Sequence, residues 1–283
     1  MDHILSFDIG GSKVAWGLFN LDGTLLKDGR LATPESLEQI LNAIQEVAAK
    51  NPAQAIGIGV PGTIHPNHRE ITLCTNLSAL NKCKLADLVQ EKTGLPTTLD
   101  NDARCALIGE VWLGSAQEMR SAVMLTLGTG VGGAVMQREK ILPHPQDVTQ
   151  EVGRLVVDPS DVFPAKSGRG SVEAFIGGHN LEKRLSISLA DISQKVRTCD
   201  KESIELWREI ASFFSLCLRA VQDQYSCRNI IIGGIGSKDL EFYLQDEPPC
   251  PVIAAQFGEK AGLYGASRIG LDLYNDEKDS TWV

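Results

Sequence analysis

The apolar run Ile4–Phe7 leads into Asp8-Ile-Gly-Gly-Ser-Lys13, and Val14–Phe19 resumes β-branched and aromatic positions. Two short apolar runs across a glycine turn predict a β-hairpin. Asp22-Gly23 marks a second tight turn before Thr24–Leu31, so a three-strand meander is expected at the start. Within 34–50, Leu37, Ile40, Leu41, Ile44 and Val47 recur at helical spacing after a Thr33-Pro34 start. Ala55–Val60 reads as a short strand ending at Pro61-Gly62. Leu85–Lys92 reads as helix, Pro96–Leu99 as strand, and Asp102–Leu113 as a helix with Ala103, Ala106, Leu107 and Val111 on one face.

The same grammar restarts at Ala122–Leu127, where a strand meets Gly128-Thr-Gly-Val-Gly-Gly133 and continues as Ala134–Gln137. Helices are expected over 172–184, 203–226 and 259–274. Ile230-Ile231-Ile232 is a buried strand running into Gly233-Gly234. Two similar α/β halves joined by short segments follow, and 283 residues suffice for both.

With 43% hydrophobic and 22% charged residues, the chain has enough apolar matter for a folded core. Lys+Arg 27 against Asp+Glu 36 gives 27 − 36 = −9, a field that repels nucleic-acid backbones and anionic lipid. Neither nucleic acid nor membrane is therefore expected as a partner. A nucleotide substrate would have to be recruited by a metal ion and local backbone amides. The cysteines (Cys74, Cys83, Cys105, Cys199, Cys217, Cys227 and Cys250) are dispersed with no C-x-x-C pair, which fits a reducing cytoplasm better than a disulfide framework. The first residues lack a basic, then apolar, leader, and no stretch approaches the roughly 18 apolar residues of a membrane helix.

Gly128–Gly133 matches G-x-G-x-x-G, but a dinucleotide turn must open a helix, and Ala134-Val-Met is strand-like. A phosphate-cradling hairpin and an ordinary β-turn remain as the two explanations. Glycine elbows also occur at 10–11 and 233–234. P-loop, H-E-x-x-H and G-x-S-x-G patterns are absent, and His65-Pro-Asn-His68 has no second ligand cluster. Asp8, at a strand end before the glycines, either holds Mg²⁺ through water or caps the turn; Lys13 adds charge near a phosphate or is simply solvated. In Asp100-Asn101-Asp102, helix capping accounts for part of the cluster, and an ionised Asp102 in the first turn is what a kinase uses to accept a hydroxyl proton. Glu151 and Glu173 are either grips for sugar hydroxyls or solvated surface carboxylates.

Taken in order, Asp8-Ile-Gly-Gly-Ser-Lys13, Gly59-Val-Pro-Gly62, Thr75-Asn-Leu77, Asn101-Asp-Ala103, Gly128–Gly133, Glu151-Val-Gly153, Val172-Glu-Ala174, Ile232-Gly-Gly234 and Ala261-Gly-Leu-Tyr-Gly265 resemble the ROK family of sugar kinases. The resemblance spans nearly the whole chain. It implies an actin-like α/β fold of two ribonuclease-H-like lobes, residues 1–114 with 267–283 and residues 115–266, with ATP and sugar meeting in a central cleft. By position, Asp102 would be the general base toward a sugar hydroxyl, O6 first. Asn76, Asn101, Glu151 and Glu173 would hold the other hydroxyls, with Gly62 letting the ring approach the backbone. Gly10, Gly11, Ser12 and Lys13, together with Thr129, Gly130, Gly132 and Gly133, would cradle the phosphates of ATP. Mg²⁺ would lie near Asp8, and Gly233 and Gly234 would flank the adenosine. A homodimer is also implied.

The chain departs from the family pattern in three places. Arg154 stands where members carry the histidine of Glu-x-Gly-His; it could donate to a sugar hydroxyl or an N-acetyl carbonyl instead. No cysteine lies between Asp158 and Glu173, so structural zinc is not expected and that loop must be ordered by packing or its own contacts. Leu142-Pro-His-Pro-Gln-Asp147 replaces the usual glycine-rich run. The expected activity is ATP- and Mg-dependent phosphorylation of glucose at O6. The alternatives are an N-acetylmannosamine or N-acetylglucosamine kinase, or a non-catalytic sugar-binding or regulatory protein. A DNA-binding repressor is disfavoured by a first strand beginning at Ile4 and by the −9 charge.

Overall fold

A computed structural model describes residues 2–188, 191, 194, 201–234, 237–238, 240–244 and 247–280. Cys199 lies outside them. The chain divides into two compact units, 1–117 with 260–283, and 118–259. Its return to the first unit falls at Lys260, ahead of the residue 267 expected from the resemblance. The cause is a helix that begins at Ala261 and packs along its length on first-unit elements. Among the described residues no helix is long and apolar enough to cross a membrane.

In the first unit, β1 (His3–Ile9), β2 (Lys13–Asn20) and β3 (Leu25–Ala32) form the expected meander, and β4 (Ala55–Val60) and β7 (Thr97–Asn101) extend it in parallel. The sheet order is β3-β2-β1-β4-β7. All six residues of β4 are buried, as a central parallel strand requires. α1 (Leu37–Lys50) starts later than Thr33-Pro34 suggested, because Ser36 and Gln39 form a capping box. A small ribbon, β5 (Thr63–Ile64) with β6 (Ile71–Leu73), is too short to leave a periodic signal. α2 (Leu85–Thr93) and α3 (Asp102–Leu113) fall where their apolar faces placed them.

The second unit repeats the plan. β8 (Ser121–Leu127), β9 (Val131–Gln137) and β10 (Lys140–Ile141) are antiparallel, and β11 (Ile230–Gly234) and β12 (Val252–Ala254) follow in parallel, giving the order β10-β9-β8-β11-β12. β9 resumes at Val131, so Gly132 and Gly133 are strand residues paired with Thr126 and Leu125. The helix expected over 172–184 is broken at Gly177 into α4 (Val172–Ile176) and α5 (Gly178–Leu185). α6 (Lys201–Tyr225), α7 (Leu240–Tyr243) and α8 (Ala261–Ser280) follow. Trp207, Phe214 and Tyr243 stack in the core of this unit, and Leu5, Phe7, Ile56 and Ile58 centre the core of the first.

Candidate active site

In the first unit the parallel register sets Asp8 opposite Gly59, and Gly59 opposite Asp100, so two strand-end carboxylates flank a residue without a side chain. A Cβ on Gly59 would lie 3.4 Å from Cys105 Sγ and 3.7 Å from Asp8 Oδ1. From the other side α8 presents Gly262, where a Cβ would fall 2.7 Å from Asp8 Oδ2. Packing strips water from Asp8, Asp102 repels its charge, and Lys13 attracts it; the net effect raises the Asp8 carboxyl to about 7. Cys105, fully buried beneath these acids, has its thiol pushed up by desolvation and then by Asp100, Asp8 and Asp102.

The Asp-Asn-Asp cluster separates into three roles. Asp100, buried, accepts from Asn101 N at 2.7 Å and from Arg104 Nε at 2.9 Å, forming an ion pair within the unit. Asn101 is the N-cap of α3: its Oδ1 accepts from Ala103 N and Arg104 N, while Nδ2 donates to Gly62 O at 3.1 Å. That side chain, expected to hold sugar, is thus largely engaged in capping. Asp102 is the first residue of α3 and accepts from Ala103 N at 2.8 Å, and no cation pairs with it among the described residues. Desolvation raises its carboxyl, and the Ala103 N–H partly opposes the rise. A half-buried carboxylate without a cation, at a helix N-terminus, is suited to taking a proton.

Gly62 has φ +105°, and a Cβ there would strike Leu73 O at 2.2 Å, so glycine is required by the adjoining ribbon as well as by any ligand. Asn76 is exposed on the loop after β6, close in sequence to buried Cys74. At the first hairpin, Gly10 N donates to Lys13 O at 2.8 Å and Thr33 Oγ1 donates to Gly10 O at 2.6 Å; Gly11 and Ser12 are exposed at the tip. No atom outside its chain neighbours approaches a Cβ position on Gly11, so this loop is open to a phosphate oxygen.

The second hairpin is tied to its own unit more tightly. Glu173 Oε2 accepts from Val131 N at 2.9 Å, and a Cβ on Gly130 would meet that same oxygen at 2.4 Å. The carboxylate assigned by resemblance to a sugar hydroxyl therefore holds the Gly-Thr-Gly turn with one oxygen. Gly178 N and His179 N, at the start of α5, donate to Gly128 O and Thr129 O. Gly133 lies against Val152, which seats the Glu151 segment on β9. Glu151 Oε2 is 3.4 Å from Arg154 Nε, and Oε1 is 4.0 Å from His144 Nε2. His144 was not singled out by sequence, although its Pro-His-Pro setting was conspicuous. Gly233 and Gly234 end β11, and Ser237 Oγ donates to Gly234 O at 2.8 Å.

The loop between Asp158 and Glu173 is ordered by its own contacts, as expected. Arg184 bonds Asp161 through both terminal nitrogens at 3.2 and 2.7 Å and lies over Phe163 and Phe175. Ser167 Oγ meets Ser171 Oγ at 2.9 Å, and Ser171 caps α4. The Arg184 hydrogen bonds hold the Asp161 carboxyl below its usual range. Among the described residues no group of three or more His, Cys, Asp or Glu is arranged to hold a metal ion. Mg²⁺ bound chiefly through phosphate and water needs only one or two carboxylates, and desolvated Asp8, repelled by Asp102, fits that demand.

Comparison with known proteins gives the family and the fold. The ROK family model matches residues 4–272, and the chain belongs to that family. A glucokinase of Streptomyces coelicolor is 25% identical over 96% of this chain and 98% of its own length. An N-acetylmannosamine kinase of Escherichia fergusonii is 28% identical over 93% of this chain and 96% of its own. Among solved structures, a ROK family glucokinase from Streptomyces griseus in complex with glucose and AMPPNP superposes with a TM-score of 0.81 at 26% identity, covering 95% of this chain and 99% of that one. The fold is the actin-like α/β fold implied by the sequence motifs.

Proposed function

We propose that this ROK-family chain is a cytoplasmic sugar kinase that transfers the γ-phosphoryl group of ATP to a hexose hydroxyl, with O6 of glucose as the acceptor. The observation that carries the assignment is the state of Asp102: of the three polar residues at the start of α3 it alone is neither ion-paired nor committed to capping. Asp102 takes the hydroxyl proton as the phosphoryl group arrives. Its desolvation raises its basicity, and the Ala103 N–H partly opposes that rise.

Gly10, Gly11, Ser12 and Lys13 on one hairpin, and Thr129, Gly130, Gly132 and Gly133 on the other, line the phosphates, the exposed tip of the first offering the Gly11 and Ser12 N–H groups and the Lys13 ammonium. Asp8 holds Mg²⁺, which when bound neutralises charge on the phosphate oxygens. Gly233 and Gly234 flank the adenosine. Gly62, Asn76, Asn101, Asp102, Glu151, Arg154 and Glu173 bind the sugar, Glu173 with Oε1 while Oε2 keeps the turn. Arg154 favours a second reading, an N-acetylmannosamine or N-acetylglucosamine kinase, because its guanidinium beside Glu151 can donate to an acetyl carbonyl.

A coupled ADP-release assay with Mg-ATP over glucose, mannose, N-acetylglucosamine and N-acetylmannosamine, run beside Asp102→Asn, tests both. Turnover confined to glucose supports the first reading, and turnover confined to an N-acetylhexosamine supports the second. Absence of turnover with every sugar in folded protein overturns the kinase assignment.

A further inference from the structure

Leu142–Asp147 has no role in the reaction described above, yet it places a nearly buried histidine against a sugar-site carboxylate. The His144 side chain is 7% exposed, with Nδ1 3.0 Å from Pro145 O and Nε2 4.0 Å from Glu151 Oε1. A carbonyl oxygen only accepts, so Nδ1 carries a hydrogen. The neutral ring would then turn a lone pair on Nε2 toward the carboxylate, whereas the imidazolium turns an N–H toward it. Arg154 Nε approaches the other oxygen, Oε2, at 3.4 Å.

Both sides of this arrangement rest on one strand. Leu142 N donates to Val135 O at 2.8 Å, which fixes the start of the histidine segment to β9. Val152 packs over Gly133, and a Cβ on Gly153 would lie 2.4 Å from Val131 O, which fixes the Glu151 turn to the same strand. Asp147, the remaining acidic residue of the segment, accepts from Thr149 N at 2.9 Å and caps its own turn. His144 and Arg154 are thus two charged groups that face Glu151 from these short elements.

We propose that His144 is a positioning residue: as the imidazolium it brackets Glu151 together with Arg154 and holds the carboxylate in the orientation that receives the sugar. This inference rests on Glu151 being a sugar ligand. His144 touches neither phosphate nor the reacting hydroxyl, so its effect falls on sugar binding rather than on the chemical step. Deprotonation of the ring removes the donor, and sugar binding weakens as pH rises through the imidazole range.

Two measurements test it separately. In steady-state kinetics, His144→Phe, which keeps a ring of similar size, is expected to raise the sugar KM about tenfold, the loss of the imidazolium's charge beside Glu151. Its kcat and ATP KM should stay near wild type. The wild-type sugar KM should climb between about pH 6 and about pH 8.5, and that climb should vanish in His144→Phe. His144→Gln, a donor without charge, should recover part of the affinity with no such pH dependence.

In the absence of sugar, the His144 ring is followed by NMR titration, its signals assigned by their loss in His144→Phe. Its midpoint should fall when Glu151 is replaced by Gln. An unchanged midpoint overturns the bracket even if the enzyme phosphorylates sugar, and so does a wild-type KM and pH profile in His144→Phe. A shifted midpoint in protein that turns over no sugar sustains the bracket and defeats the kinase assignment instead.

Discussion

Desolvation outweighs the attraction of Lys13 at Asp8 and the Ala103 N–H bond at Asp102 in the first unit, whereas Glu151 and Glu173 of the second unit are bonded to more distant protein groups. The two units share a sheet order and a glycine-turned hairpin, so the difference lies in what surrounds the carboxylates and not in the scaffold. In the first unit Gly59 and Gly262 let strand and helix close on Asp8, and desolvation disfavours the charged form of both acids. In the second, Val131 N–H bonds Glu173 and Arg154 bonds Glu151 within the unit. The first unit's acids are desolvated, and the second unit's are bonded into their own loops.

The largest effect is expected from Asp102→Asn, which removes the proposed base while keeping the side-chain shape at the start of α3. A fall in kcat of about 10²–10⁴-fold, with an unchanged far-ultraviolet spectrum, would mark the first unit as the source of reactivity. A loss in sugar KM alone would move Asp102 to the positioning class of the second unit.

Arg184→Met should cost about 3–5 kcal/mol in denaturant unfolding, because it leaves Asp161 nearly buried without its partner. Since the Arg184 hydrogen bonds lower the Asp161 carboxyl, the stability they contribute is present above the ordinary aspartate range and is lost as pH falls through the lowered folded value. Glu173→Gln weakens a charge-assisted bond to Val131 N–H, at about 1.5–3 kcal/mol. It should raise the ATP and sugar KM values together, as disorder of the second hairpin requires. If only the sugar KM rises, Glu173 acts as a ligand and not as a tether.

Asp8→Asn gives the smallest change and the most pointed one. The folded Asp8 carboxyl stands at about 7 against 3.8 in the unfolded chain, so the folded state binds the extra proton between those values. Stability conferred on the folded state by that proton is lost as pH rises through about 7. Asp8→Asn, free of that loss, should be more stable than wild type at pH 8 by about 1–2 kcal/mol, a figure reduced for solvent screening, and close to it at pH 4. Thermal unfolding at the two pH values measures it. A variant less stable at both would show that Asp8 is held by favourable bonds, as the glutamates are, and would erase the contrast between the units.

What the chain makes local was legible in its sequence. Turn glycines flanked by apolar runs located both hairpins, and the Asp-Asn-Asp cluster located the start of α3, because turns and caps are settled within about four residues. The repeat of that grammar disclosed two similar halves. Tertiary structure alone decided how the acids are used. Asp8 meets Asp102 because β1 and the start of α3 flank the same end of β4; Glu173 meets Val131 across a helix and a strand; Asp161 finds Arg184 beyond α4. Periodicity records which face of an element is buried, but it does not record which distant element covers that face. Desolvation and charge pairing, which set the chemistry of these side chains, depend on that second fact.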